Sequence, residues 1–419
     1  MMNPIPLAIT ELRRHLLGAV AIVMLIAVAV AFGIAVTSSE RALRESSARA
    51  ADRFDLVIGA PGSATQLVLT TVYLQGAAIP LIAPNVLPRI LADLTADKGV
   101  AYAAPVAVGD SFGSAPIVGT TADFVIDGGR MTLVEGRIFT NQNEAVLGAK
   151  VDLKLGATFQ AAHGSAAEQL LDAHTHRFRF TVVGRLPKTG TAWDNAILVP
   201  IETIWDIHRG ARPASSQSEA LGPPWASDAI SGVPAIVVRV KSPGDAYRLR
   251  GIYRGNVAND GNGRNGTNGT MAIFPAEVLM ELFALIGDMR KVMTTMSLAT
   301  QGIVLLAVLL VMISALSVRQ QTIAVLRAMG APKLYIFAMI WLQGFMLIGL
   351  GAALGLGVGW FGSAALVKIF AGDTGLVIMP TIGTDEFFMA ATVLVAGSLL
   401  ATIPTAILWR ENIAQKLRN

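Results

Sequence analysis

Three of the five histidines in the sequence lie close together, in a polar stretch suited to binding a metal ion. His163, His174 and His176 belong to the segment AAHGSAAEQLLDAHTHRF, which also contains Glu168 and Asp172. Imidazole and carboxylate groups are suitable ligands for zinc and similar divalent ions. A His-x-His pair on a β-strand directs both rings to the same face. The cluster therefore predicts a zinc site, and the alternative is a solvated loop in which the histidines are incidental.

Other chemistry is poorly represented in the sequence. It contains no G-x-x-x-x-G-K-[ST] phosphate-binding loop and no H-E-x-x-H zinc motif. It has no cysteine, which removes cysteine catalysis and cysteine metal sites. The net charge is only +4, with no dense basic run interleaved with aromatic residues, so a nucleic-acid partner is not expected. We predict that the chain is not an enzyme and that it has no cofactor of its own apart from the candidate zinc ion.

The stretch 319–330, RQQTIAVLRAMG, has the pattern of a short amphipathic helix. Ile323, Leu326 and Met329 recur at helical spacing among polar residues, and Gly330 suits a helix C-terminus. A helix held between two membrane spans moves as a rigid unit, and its apolar face can enter a groove on a cytoplasmic partner. The alternative is an ordinary basic loop. The residues predicted to bind the partner are Arg319, Ile323, Leu326, Arg327, Met329, Gly330 and Lys333.

A row of small residues follows in the next apolar run. Gly351, Gly355 and Gly359 are spaced four apart, and small residues at this spacing let helices approach closely in lipid. The row favours close helix packing, either within the subunit or across a dimer. General glycine enrichment of membrane helices is the alternative.

The composition predicts membrane elements that position these residues. Of the residues, 53% are hydrophobic and 15% are charged, against about 25% charged in soluble domains, and the mean hydropathy is +0.56. Runs of about 20 apolar residues are long enough to cross a bilayer. We therefore predict an α-helical membrane protein with four transmembrane helices and a large α/β extracytoplasmic domain inserted between the first and second. The predicted segments are an N-terminal segment (1–15), the first span (16–37), the extracytoplasmic domain (38–296) with helical stalks at 38–54 and 275–296, the second span (297–317), the coupling helix (318–334), the third span (335–367), an outer loop (368–386), the fourth span (387–408) and a C-terminal tail (409–419).

Basic residues indicate the orientation of these spans. Arg13 and Arg14 precede the first span, the coupling segment and the C-terminal tail are basic, and the connection 368–386 is mainly acidic. Because basic residues accumulate on the cytoplasmic side, both termini are predicted to be cytoplasmic. Inside the extracytoplasmic domain, the run Phe124 to Ile126 reads as a strand. The apolar segment Asp55 to Tyr73 is interpreted as core, with a hydrophobic binding surface as the alternative.

The coupling segment and the glycine-rich span after it closely resemble permeases of the MacB/FtsX/LolC family. In that family the second-to-third connection typically has a basic residue and then E-I-A-V-L-R-A-L-G-A. Ile323 to Ala331 matches this pattern, and Thr322 stands where the family usually has the acid, so a salt bridge from that position to an ATPase is not expected. Weaker matches in the outer segment are LVEGR (133–137) with Phe139, VLG (146–148), KLG (154–156) and FTVVG (180–184).

The resemblance implies a mechanotransmission (type VII) ABC permease without a fused ATPase, in the bacterial inner membrane. Its expected partners are a dimeric ABC ATPase that supplies ATP and Mg, a second permease subunit forming a homodimer, membrane lipids, and a periplasmic adaptor, binding protein or lipoprotein. The expected cargo is a lipophilic molecule, a lipoprotein or a peptide at the outer face. The alternatives are an FtsX-like regulator of a cell-wall hydrolase and a divalent-metal-handling system.

Overall fold

Two units make up the chain in the computed structural model. A helical unit comprises Met1–Leu43, Leu285–Phe370 and Met379–Asn419, and a sheet unit comprises Arg44–Ala284 and Ala371–Ile378. The residues that the structure describes are 4–76, 78–163, 175–208, 221–225, 230–255, 269–318, 323, 325–327, 329–374 and 383–403.

Ten helices and ten strands are named along the described residues. The helices are α1 (Ile5–Arg14), α2 (Leu16–Ala51), α3 (Ala64–Tyr73), α4 (Leu87–Ala96), α5 (Ala122–Val125), α6 (Ile201–His208), α7 (Pro243–Tyr253), α8 (Pro275–Val318), α9 (Lys333–Thr374) and α10 (Thr384–Leu400). The strands are β1 (Leu56–Gly59), β2 (Val100–Phe112), β3 (Ala115–Thr120), β4 (Glu135–Gly136), β5 (Glu144–Leu147), β6 (Thr158–His163), β7 (Thr175–Arg185), β8 (Ile197–Pro200), β9 (Ala235–Val240) and β10 (Met271–Ile273).

Three helices in the described part of the chain are long and apolar enough to cross a membrane. They contain the segments Leu16–Ala51, Thr294–Ser314 and Lys333–Ala365. The fourth predicted span, 387–408, begins within α10, but its last residues lie outside the described part of the chain, so the count of four stays a prediction. Both predicted stalks belong to the long helices α2 and α8, which run on without a break.

The strands of the sheet unit form one mixed sheet. Its order is β10-β1-β9-β2-β3-β8-β5-β7-β4, and β6 pairs with β2 and β7. The pairs β3–β8 and β5–β7 are parallel, and the other pairs are antiparallel.

Both faces of this sheet are buried. Successive residues of a strand point to opposite faces, and in β1 Leu56 and Ile58 join one apolar cluster while Val57 joins another. The segment Asp55 to Tyr73 contributes this strand and the whole of helix α3, most of which is buried. The core interpretation of that segment is confirmed, because these residues are enclosed and do not form an outer apolar surface.

The strand predicted at Phe124 to Ile126 is wrong. Helix α5 occupies Ala122–Val125, and a turn at Asp127–Gly129 follows it. A short apolar run cannot be assigned to strand or helix by periodicity alone. Phe124 and Val125 are adjacent and both fully buried, and the short helix turns both side chains into the core.

Candidate coupling site

The segment between α8 and α9 ends its helical turn as its sequence predicts. Residues 323 and 325–327 are helical, and Gly330 has a left-handed backbone with φ +91°. The Ala331 N–H donates to the Leu326 carbonyl, and the Gly330 N–H donates to the Arg327 carbonyl, each at 3.0 Å. This pair of bonds is a Schellman motif, which satisfies carbonyl groups left open at a helix end.

The inner side of this segment is packed into the helical unit. Ile323 is only 4% exposed and belongs to a cluster with Ala8 of α1 and with Ile336 and Ile340 of α9. Leu326 is half-buried. Ile323 therefore holds the segment against α1 and α9.

The outer side of the segment exposes large apolar residues. Met329 is 74% exposed, Val325 57% and Leu334 66%. Val325 and Met329 are four residues apart, a spacing that places side chains on the same helix face. Lys333 is exposed and Arg327 half-buried, and Arg319 lies outside the described residues.

The environments of these residues refine the set chosen from the sequence. The sequence spacing predicts that Ile323 and Met329 share one face, but the structure buries the first and exposes the second. Sequence reasoning missed Val325 and Leu334. The spacing of Val325 from Met329 is visible in the sequence, but their exposure depends on where α1 packs, which the local pattern does not contain.

The glycine row of α9 lies against α2 of the same chain. A Cβ atom built on Gly351 would lie 2.7 Å from Ile26 Cβ, and one on Gly355 would lie 2.7 Å from Val30 Cβ. At Gly359 the corresponding neighbour is Ile34 Cβ, at 2.8 Å. The absence of side chains at these three positions therefore lets the two helices approach closely.

An ion pair with a buried carboxylate joins Arg41 of α2 to the start of α10. Arg41 donates to Glu386 Oε2 at 2.9 Å and to Asp385 Oδ2 at 3.0 Å. The side chain of Glu386 is fully buried and also accepts the Gly383 N–H at 2.8 Å. Both donors bind Oε2, and the charge of Arg41 offsets part of the desolvation cost of the buried carboxylate.

The ends of the two long helices enter one apolar cluster of the sheet unit. Ala51 closes α2 and Phe54 follows it, and both are buried in the cluster that also contains Val278 and Leu279 of α8. At the start of α8 the guanidinium of Arg250 lies 4.6 Å from the centre of the Phe274 ring. Movement of either helix end would therefore act on the same packed core.

The histidine cluster lies mostly outside the described residues. His163 ends β6 and His176 lies in β7, strands that pair with each other, while His174 is not described. Among the residues that the structure describes, no group of three or more His, Cys, Asp or Glu residues is placed to hold a metal ion. The zinc site stays a prediction.

One pentapeptide matches the G-x-S-x-G pattern of serine hydrolases. It is GDSFG at 109–113, and it lies at the end of β2, where a hairpin leads into β3. The hydrolase pattern requires a sharp strand-to-helix turn that presents the serine. Ser111 lies within the strand, so the structural context of that motif is not met.

A charged turn holds the outer-segment motif LVEGR in place. Arg137 donates to Glu144 Oε2 at 2.7 Å and to Oε1 at 2.5 Å. The Thr140 N–H and the Asn141 side chain donate to the same carboxylate. Burial alone would raise the pKa of Glu144, but these donors, led by Arg137, lower it to about 2.

We expect acid to weaken this turn, with a loss that sets in below about pH 4.5. Because the pKa of Glu144 is lower in the folded state, its stabilisation is complete above the unfolded value and is lost as the pH falls towards 2. The loss should be about 2 kcal/mol, since half-exposed Arg137 is screened by water. The measurement is the free energy of unfolding against pH for wild type and Glu144→Gln. An equally steep acid dependence in both proteins would contradict the assignment.

Comparison with known proteins identifies the family. Residues 16–250 match the model of the MacB-like periplasmic core domain, and residues 294–413 match that of the FtsX-like permease C-terminal region. The periplasmic region of MacB from Actinobacillus actinomycetemcomitans is similar at 13% identity and a TM-score of 0.33, covering 55% of this chain and 94% of that one. Curated protein sequences give no significant match. The first model alone covers more than half of the chain, which therefore belongs to the MacB/FtsX-like family of ABC transporter permeases.

Proposed function

We propose that the chain couples ATP hydrolysis by a separate ABC ATPase to movement of its sheet unit outside the cytoplasm. The observation that carries the proposal is the continuity of α2 and α8. Each helix contributes residues to both units. The C-terminal end of α2 and the N-terminal end of α8 belong to the same apolar cluster of the sheet unit. A continuous helix transmits tilting and axial displacement, whereas a flexible connection would absorb them.

The orientation and assembly follow from the charges and from the family. Basic residues precede the first span and occur along the coupling segment, which favours the cytoplasmic side of the bacterial inner membrane for both. Two copies would pair, each with its ATPase subunit, and ATP and Mg would bind in that partner. The cargo would be a lipophilic molecule, lipoprotein or peptide, received by the sheet unit and moved by mechanotransmission.

The ATPase would dock on the exposed side of the coupling segment. Val325, Met329 and Leu334 form a set of exposed apolar side chains, with Lys333 beside Leu334 in the chain. Interface energy is concentrated in a few apolar anchors that insert into pockets of the partner. The buried Ile323 would act from within, by holding this surface against α1 and α9.

We expect Met329→Glu to abolish stable binding of the ATPase. The substitution places an unpaired charge where a desolvated apolar anchor is needed, and a loss of about 3 kcal/mol would weaken binding roughly 150-fold. The experiment co-expresses the full chain with the ABC ATPase proposed as its partner. It then measures the ATPase retained on the affinity-purified chain.

Met280→Glu is the matched control for this experiment. Met280 is 70% exposed and belongs to the sheet unit, so its substitution should leave ATPase binding unchanged. Equal retention by Met329→Glu and wild type would refute the docking surface. A wild-type chain that retains no ATPase would refute the proposed function.

Transport is the branch of the family that we propose, and no feature of the described residues favours hydrolase regulation or metal handling over it. The kind of molecule that stimulates ATP hydrolysis distinguishes transport from hydrolase regulation. The complex in nanodiscs should hydrolyse ATP faster when a lipophilic peptide or lipoprotein is added. Stimulation by a cell-wall hydrolase alone would support the regulatory function instead.

A further inference from the structure

A cavity of about 380 Å³ lies in the helical unit, and the coupling segment forms part of its wall. Its walls come from α1, the start of α2, the end of α8, the coupling segment and α9. Ile323 and Leu326 contribute from the coupling segment, and Gly18 contributes from α2. Protein interiors contain few voids larger than a water molecule. A cavity of this size is within the range of small-molecule sites.

The walls of this cavity favour an apolar occupant. Most of the side chains that line it are aliphatic or methionine, and its polar groups are Glu11, His15 and Gln343. Apolar cavities stay dry and bind apolar molecules. For helices that cross a membrane, lipid chains are the most abundant apolar molecules in contact with the protein.

Basic residues next in the chain to the cavity wall favour an anionic headgroup. Arg13 and Arg14 lie in the last turn of α1 and are exposed, next in the chain to His15 in the cavity wall. Glu11 offsets part of this charge and leaves the end of α1 basic. Basic residues at the membrane surface attract anionic lipids, by about a factor of five per residue.

We propose that this cavity binds one acyl chain of an anionic phospholipid, with the headgroup held by Arg13 and Arg14. Because Ile323 and Leu326 form part of the wall, a lipid chain in the cavity would contact the coupling segment and stabilise its position. A ligand that prefers one position of the segment shifts its population towards that position. Lipid binding itself does not depend on ATPase docking, and only this effect on the segment rests on the proposed function.

The test is native mass spectrometry of the purified full chain titrated with phosphatidylglycerol or phosphatidylcholine. The wild-type chain should retain one phosphatidylglycerol at a lipid concentration about tenfold lower than it needs for phosphatidylcholine. Gly18→Leu should weaken phosphatidylglycerol retention about tenfold or more. A Cβ atom on Gly18 meets no atom within 4 Å, so leucine can occupy the space without displacing a neighbour.

Two further variants separate the cavity from general lipid adhesion. Gly302→Leu, at another open and exposed position in α8, should retain phosphatidylglycerol as wild type does. The double variant Arg13→Gln/Arg14→Gln should lose the preference for phosphatidylglycerol but still retain lipid. Equal retention by the Gly18→Leu and wild-type chains, or an equal loss in Gly302→Leu, would overturn the proposal. Stronger retention of free oleate than of phosphatidylglycerol would also overturn it.

Discussion

The Gly355→Leu variant should unfold at a temperature about 6 °C or more below that of the wild-type chain. Overpacking a tight contact costs about 1–3 kcal/mol, and more where the neighbours cannot move. A loss of about 3 kcal/mol corresponds to this shift for a unit of 150–250 residues. The measurement is the thermal midpoint of the monodisperse fraction of the detergent-purified chain.

The neighbours of Gly355 explain why the cost lies at the upper end. A Cβ atom there would lie 2.7 Å from Val30 Cβ and 2.9 Å from the Ala27 carbonyl oxygen. Both atoms belong to the rigid body of α2, so no rotamer change relieves the contact. The helices would have to separate, and the neighbouring contacts at Gly351 and Gly359 would weaken with it.

Gly357→Leu provides a matched control on the same helix. A Cβ atom on Gly357 meets nothing within 4 Å, and the residue is exposed. Both variants exchange glycine for leucine and gain the same helix propensity. The Gly357→Leu chain should therefore match or exceed wild type. Similar midpoints for the two variants would show that α2 and α9 do not pack through the glycine row.

The glycine row also shows how far sequence patterns reach. The spacing of Gly351, Gly355 and Gly359 indicates that a helix approaches closely, because only small residues permit it. It does not identify that helix. The partner is α2, more than 300 residues earlier in the chain. The sequence around its Ile26, Val30 and Ile34 does not predict the contact.

In the coupling segment, too, some features follow from the local sequence and others depend on tertiary packing. Gly330 ends its helix through bonds made within six residues, so the sequence predicts it. The burial of Ile323 depends on Ala8 of α1, and the exposure of Val325 is its consequence on the opposite side. Residues that share a helix are identifiable from spacing, whereas the side that faces a partner depends on how the distant elements pack.

The strand predicted at Phe124 is wrong because local propensity does not determine the backbone conformation there. Helix α5 ends at Val125, and Asp127 then adopts a left-handed backbone with φ +48°, a conformation that costs energy for a residue other than glycine. Asp127 is buried and accepts a hydrogen bond from the Tyr102 hydroxyl at 2.9 Å. The surrounding polar contacts, not the sequence of the turn, hold this conformation.

Arg53 supplies the charge in this buried site. It follows the end of α2, donates to the Phe124 carbonyl at 2.6 Å and places its guanidinium 4.8 Å from the Phe124 ring centre. Burial lowers the pKa of Arg53, while the negative charge of Asp127 favours its charged form. Burial and then the charge of Asp127 raise the pKa of Tyr102. Asp127 therefore favours the charge of Arg53 and accepts the Tyr102 hydroxyl inside the core that receives the end of α2.

Replacing Arg53 with methionine should loosen this core at the end of the first long helix. Methionine retains much of the packing volume but removes a charged hydrogen bond and a cation–π contact, a loss of about 2 kcal/mol after the desolvation cost of the arginine is recovered. Amide hydrogens of 121–129 should then exchange about thirtyfold faster, measured by mass spectrometry on the full chain. Arg49→Met is the matched control, because Arg49 lies one turn earlier in α2 and is exposed. Unchanged exchange in Arg53→Met, or an equal increase in Arg49→Met, would show that the charge does not fix the end of α2 in the sheet unit.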